Sequence, residues 1–265
     1  MSVFSIGDQA RSYALQSSVR SMKKTLDVLI KEQASGEVSD IGQRLQGNTQ
    51  ILRSLEVKIA EIDSFQQVAA EAQNEISLML DALNFIQKTA STRAISLINE
   101  PAGESESLLT ERSRQAALDL EIIITRLNTE IGGRHLFAGV EVDMLPLVSA
   151  DELLDTLYGI VDGMTDAEAI VQAISDWFDA PVGGFPDLAY RPISAESRQF
   201  SLYQGAKVKL HTAAASENIR DTLKGLAIAA MAGRDVLPGD ISQKRELLRM
   251  GGGIIYDNDV NVITE

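Results

Sequence analysis

The chain has 265 residues, no cysteine and a formal net charge of −14, with 45% hydrophobic residues but only 5% aromatic ones. Those figures exclude disulfides, thiolate chemistry and Cys-ligated metal, and they leave no basic stripe of the kind a nucleic-acid binder carries. No apolar run is long enough to span a membrane and no signal-peptide pattern opens the chain, so the sequence predicts a soluble protein with protein partners, no membrane and no nucleic acid.

Residues 7–34 read as an amphipathic helix, because Val19, Met22, Leu26 and Leu29 or Ile30 recur at three- and four-residue steps. Ser35-Gly36 is a helix stop, and Asn48 or Thr49 is an N-cap for the second long helix. That helix carries the strongest signal in the chain. Ile62, Phe65, Ala69, Ala72, Ile76, Met79, Leu83, Ile86 and Ala90 alternate three- and four-residue steps, a heptad seam. Ile51, Leu55 and Ile59 lead into it, Ala94 and Leu97 extend it, and neither Pro nor Gly interrupts it.

Pro101 and Gly103 break that helix, and Ser105 or Ser107 can cap the next one. Leu109, Ala116, Leu120, Ile123, Leu127 and Ile131 then repeat with a similar period. Two long helices joined by a short turn lie antiparallel. The spacing therefore predicts helices over 48–98 and 106–131, with Ile76, Met79, Leu83 and Ile86 facing Leu120, Ile123 and Leu127. At the end of the second of these helices, Gly132 and Gly133 are expected to cap it with left-handed backbone, so that Leu136 and Phe137 fold back onto the seam.

Beyond residue 148 the pattern shortens. Two short helices are predicted, the first capped by Ser149 or Asp151 and the second by the T-D-A-E box that begins at Thr165. "PVGGFPDLAYRP" reads as loop, and Phe200, Leu202, Val208 and Leu210 alternate around a Gln204-Gly205 turn as a β-hairpin. Another helix runs from Ser216 to Gly233, and a last one starts after Pro238-Gly239 and carries no stop signal before Glu265.

An N-terminal amphipathic helix ending at "ASGEVSD", a long helical hairpin and then "GGRHLFAG" together resemble the flagellin superfamily, and within it the hook–filament junction proteins. The family's G-R-aromatic-aliphatic-F-A-G pattern is matched by Gly133, Arg134, Leu136, Phe137, Ala138 and Gly139, with His135 at the aromatic position. Ser35 and Gly36 match its Ser-Gly turn, and the likeness covers residues 1–148 best.

The resemblance implies a mainly α fold, an elongated antiparallel helical bundle with a small α+β insertion. It divides the chain into an N-terminal amphipathic helix over 1–40, a rod over 41–148 and 190–265, and a small outer insertion over 149–189. It implies a structural subunit of the bacterial flagellum, exported by the flagellar type III apparatus without a cleaved signal. Its partners would be hook-associated proteins, flagellin, an export chaperone and further copies in a ring. In the family the N-terminal helix pairs with a C-terminal one that has no evident counterpart here. Val19, Met22, Leu26 and Ile30 are thus the expected assembly interface, and residues 1–35 are expected to be disordered until they meet another molecule. A filament subunit and a cytoplasmic coiled-coil adaptor remain alternatives.

Chemistry has no foothold in the sequence. His135 and His211 stand far apart without ligand-like neighbours. Gly251 to Gly253 lack the Lys-Ser or Lys-Thr of a phosphate loop, and no hydrolase, zincin or kinase signature occurs. No cofactor, metal or catalytic role is expected.

Overall fold

The computed structural model describes residues 6–44, 49–99, 105–192, 198–203, 206–210, 213–234 and 236–264. The protein is mainly α and divides into two compact units, Met1–Ser64 and Phe65–Glu265. The expected stops and starts at Asn48, Pro101, Gly103, Gln204-Gly205 and His211 fall outside the described residues.

The first unit holds α1 (Ile6–Ser35), α2 (Ile41–Arg44) and the start of α3 (Gln50–Ile98). Helix α1 is continuous where disorder was expected. It stops as the sequence predicts: Gly36 takes φ +72°, a conformation that costs glycine little, and its amide donates to the Glu32 carbonyl at 2.8 Å. The Glu32 carboxylate accepts from the Ser39 amide and hydroxyl at 2.8 and 2.9 Å and lies 3.6 Å from Arg44. The Ser39 hydrogen bonds hold that carboxyl below its ordinary titration range. Thr49 stands at the head of α3, where its carbonyl accepts from the Arg53 amide at 2.9 Å.

In the second unit, α3 pairs with α4 (Glu106–Leu127). Arg126 lies over the Phe85 ring, Arg93 bonds Asp119, and Arg112 reaches the Ser96 carbonyl. Rising numbers on one helix meet falling numbers on the other, so the pair is antiparallel as predicted. The seam is narrower than expected. Met79, Ile86, Leu120, Ile123 and Leu127 are buried, but Ile76, Leu83 and Phe65 are only half-buried and Ile62 is exposed. Burial begins at Ala72, and Ala82 rather than Leu83 occupies the innermost position of that turn.

After α4 come the short strands β1 (Glu130–Ile131) and β2 (Arg134–His135), then α5 (Ala150–Val161), α6 (Ala167–Asp179) and α7 (Phe185–Leu188). Next is an antiparallel pair, β3 (Arg198–Tyr203) with β4 (Ala206–Leu210), placing Phe200 opposite Val208. Helices α8 (Glu217–Met231) and α9 (Ile241–Thr264) complete the chain.

Residues 149–189 do not form the expected outer insertion. They are helical, and α5 and α6 pack on α8, with α5 also against α4 and α6 against α9. The reason is visible in the side chains: Leu153, Leu154, Leu157, Ile170, Ile174 and Phe178 join one core with the α3–α4 seam. The predicted loop around "FPDL" is helix α7, whose Phe185 stacks on Phe178 with ring centroids 5.2 Å apart. Ser149 caps α5 as expected, accepting from the Glu152 amide at 3.2 Å. Helix α6 is capped one residue later than predicted, by Asp166 rather than Thr165: the Asp166 carboxylate accepts from Ala169 at 2.9 Å. The Gln243 side chain of α9 takes the Ala167 amide at 2.7 Å, so a neighbouring helix supplies part of the cap.

Helix α8 is the centre of this unit. Every residue from Thr222 to Met231 is buried, which is the mark of a core helix rather than a surface one. Its closest neighbour is α9. A Cβ on Gly225 would lie 2.6 Å from the Gly251 carbonyl oxygen, and one on Gly251 would lie 2.7 Å from the Gly225 oxygen. The next residue, Gly252, faces α3, where a Cβ would come within 2.7 Å of the Leu97 Cβ. The triple glycine thus lets α9 press on two helices at once.

Buried polar groups are tied across the same contacts. Ser113 of α4 reaches the carbonyls of Ala229 and Ala230 at 2.8 and 2.9 Å. Lys224 meets Asp179 at 2.8 Å and Asp221 at 2.9 Å, and Lys244 meets Glu106 at 2.8 Å.

Gly225→Ala and Gly251→Ala should each lower the unfolding free energy by about 1–3 kcal/mol, because the added methyl must push two backbones apart. Gly253→Ala, whose Cβ meets nothing within 4 Å, should instead stabilise by up to about 1 kcal/mol through helix propensity. Urea unfolding read from Trp177, the single tryptophan, measures all three, and equal effects would show that the helices do not meet through glycine. On the seam, Leu120→Ala should cost about 2–5 kcal/mol and half-buried Leu83→Ala clearly less.

Candidate assembly surface

Exposure separates the candidate residues into two sets. On α1, Leu15, Val19, Met22, Leu26, Leu29 and Ile30 are between 50% and 70% exposed. They share one side of the helix, since their spacing alternates four and three residues. The start of α3 continues in the same manner, with Ile51, Leu55, Ile59 and Ile62 exposed. Among the described residues of the first unit no apolar side chain is buried. Leu15 belongs to the stripe although the sequence reading began it at Val19. Its four-residue step to Val19 carried the signal.

The second set is the turn after α4, which serves packing. Helix α4 ends at Leu127, earlier than predicted, and Ile131 leaves the seam for an exposed place in β1. The glycine pair is not the helix cap. Gly132 and Gly133, at φ +59° and +79°, form the two-residue loop between β1 and β2, where Ile131 pairs with Arg134. Two positive φ values in a two-residue hairpin are the requirement of a type I′ turn. The cap position falls to Asn128, whose amide donates to the Ile124 carbonyl at 2.9 Å.

Asn128 does more than end the helix. Its side chain donates to the Leu147 carbonyl at 3.0 Å and accepts from the Leu147 amide at 2.9 Å. The His135 ring nitrogen Nδ1 lies 3.1 Å from the Asn128 carbonyl. Phe137 and Ala138 are fully buried, and the Phe137 carbonyl accepts from the Ala214 amide at 3.0 Å, just before α8 begins. Gly139 leaves the motif at φ +67°, while Arg134 is exposed. The predicted inward turn of Leu136 and Phe137 is therefore present, although a hairpin and not a helix cap produces it.

The remaining concave features offer no reacting constellation. A cleft of about 390 Å³ between α4, α5 and α8 has Ala117, Leu154 and Ala230 on its walls. Its rim cation Arg234 is already paired with Asp151 and Asp155. A second hollow of about 320 Å³ lies between Glu75 and Arg134. Among the described residues no group of three His, Asp or Glu side chains converges on a metal-sized site. Tyr190 is buried with no partner for its hydroxyl, and burial, helped by Glu141, raises its pKa to about 12. It stays a neutral phenol at any physiological pH.

No family model matches the chain, and comparison with curated proteins and with solved structures found no match.

Gly132→Ala and Gly133→Ala should each destabilise the second unit by about 1 kcal/mol or more, since alanine resists positive φ. Asparagine at either position should cost less, because it tolerates left-handed backbone. Thermal unfolding of the four variants checks this, and a neutral alanine at both sites would remove the type I′ turn from the account.

Proposed function

We propose that this chain is a structural subunit of the bacterial flagellum at the junction between hook and filament, resembling flagellar hook-associated protein 3. One observation carries the reading: a heptad-spaced apolar stripe lies uncovered along α1, in a chain whose second unit gathers its own apolar residues into a core. A stripe of that kind fits a partner helix better than water. The motif residues Gly133, Arg134, Phe137 and Gly139 add the resemblance on which the flagellar identity rests.

On this reading the function is interface geometry and not catalysis. The chain passes the flagellar type III apparatus unfolded, with an export chaperone, and joins hook-associated proteins and flagellin outside the cell. The glycine-joined core gives the assembled subunit its stiffness. The stripe of Val19, Met22, Leu26 and Ile30 supplies contacts to neighbouring subunits in a ring.

Deleting residues 2–30 should remove the protein from sheared flagella while leaving the Trp177-reported melting of the second unit nearly unchanged. Met22→Ser should shift that melting by less than about 0.5 kcal/mol, as expected for an exposed site. Recovery of the intact chain only from the cytoplasm, with none on sheared flagella, would sink the reading in favour of an adaptor.

A further inference from the structure

We infer that, before assembly, α1 of one molecule pairs antiparallel with α1 of a second copy in a two-stranded coiled coil. The helix supplies its own register. Ser12, Val19, Leu26 and Gln33 fall at the a positions of a heptad, and Asp8, Leu15, Met22 and Leu29 at the d positions. All are exposed.

Charge then decides the direction. In a parallel pair, Asp8 would face Asp8 of the second copy at a d position, a like-charge contact at the seam. In the antiparallel pair centred between residues 20 and 21, each Val19 meets Met22 of the other copy and each Leu15 meets Leu26. Asp8 then meets Gln33, which can donate to it. The flanking g positions bring Arg11 of each copy to Glu32 of the other, so two opposite-charge pairs bracket four apolar layers. Within its own chain the Glu32 carboxylate accepts from the Ser39 amide and hydroxyl and lies 3.6 Å from Arg44, so the Arg11 contact would add to a carboxylate that already has partners.

The wider charge distribution favours the same meeting. Residues 1–64 carry eight basic and eight acidic side chains, whereas residues 65–265 carry sixteen and thirty. Two copies that meet through their first units bring together segments of zero net charge. Any contact between second units would bring two strongly acidic surfaces together.

The absence of cysteine makes the test clean. Leu15→Cys and Leu26→Cys are prepared as separate full-length proteins. In the antiparallel pair, two Leu15 positions stand about 16 Å apart along the axis, too far for a disulfide. Each variant alone should therefore stay uncross-linked under mild oxidation, and the mixture should give a covalent 15-to-26 dimer. Self-cross-linking of either variant, or no cross-link in the mixture, overturns the inference.

Sedimentation supplies the second measurement. Arg11→Glu should weaken the dimer several-fold and Arg11→Glu with Glu32→Arg should restore it. An unchanged dimer in Arg11→Glu would refute the register. Trp177 unfolding confirms that every variant keeps its second unit folded. The inference deepens the proposed assembly role of α1 but fails separately from it: a monomeric chain present on sheared flagella would remove the dimer and leave the junction reading in place.

Discussion

The contact between Gly225 and Gly251 sets the terms for the second unit. With no side chain on either residue, the α8 and α9 backbones touch, and the two helices pack against each other more closely than any other pair of helices among the described residues. A helix held that close on one side must be covered on the others by something. Helices α4, α5 and α6 supply that cover, which is why α8 is buried almost throughout. The arrangement has an electrostatic consequence. Lys224 and Lys244 lie on crowded faces and are nearly buried, and an unpaired ammonium there would be costly. Asp179 and Asp221 meet the first and Glu106 the second, so ion pairs appear where packing leaves the cations no other choice.

The turn after α4 feeds the same centre. Asn128 fixes the backbone of Leu147 through two hydrogen bonds, which returns the chain toward α5. The type I′ hairpin swings Phe137 into the core, and its carbonyl catches Ala214 just ahead of α8. One short segment therefore settles where α4 ends, where α5 begins and where α8 enters. Gly132 and Gly133 are needed for their positive φ, Phe137 for its volume and Asn128 for its paired donor and acceptor.

Periodicity made the long elements legible. The heptads of α3 and α4, the stop at Gly36, the Ser149 cap and the β3–β4 pair all derive from local spacing or local capping chemistry. Spacing could not convey which helix lies at the centre. The run "TLKGLAIAAM" is apolar enough for a core helix, but no local spacing says that Asp179 meets its lysine or that Gly251 meets its glycine. The same holds for "GGG", whose sequence says only that it is no phosphate loop, and which lets the α9 backbone come close to both α8 and α3. The Gly132–Gly133 pair misled for a different reason. Helix caps and type I′ turns demand the same backbone, and only the pairing of Ile131 with Arg134 tells them apart. The α1 stripe was legible as a stripe, but its exposure depends on every other element finding its partners elsewhere.

That exposure has a thermodynamic side. A helix draws most of its stability from packing an apolar face, and α1 has none of its face packed. Its residues gain little from folding alone and much from a matching helix. The second unit is the opposite case, with one continuous core from Met79 to Ile255. The chain therefore combines a unit that has its own apolar core with a helix whose apolar face is uncovered. The neutral charge balance of the first unit, set against the acidity of the second, favours meetings between first units over contacts between second units.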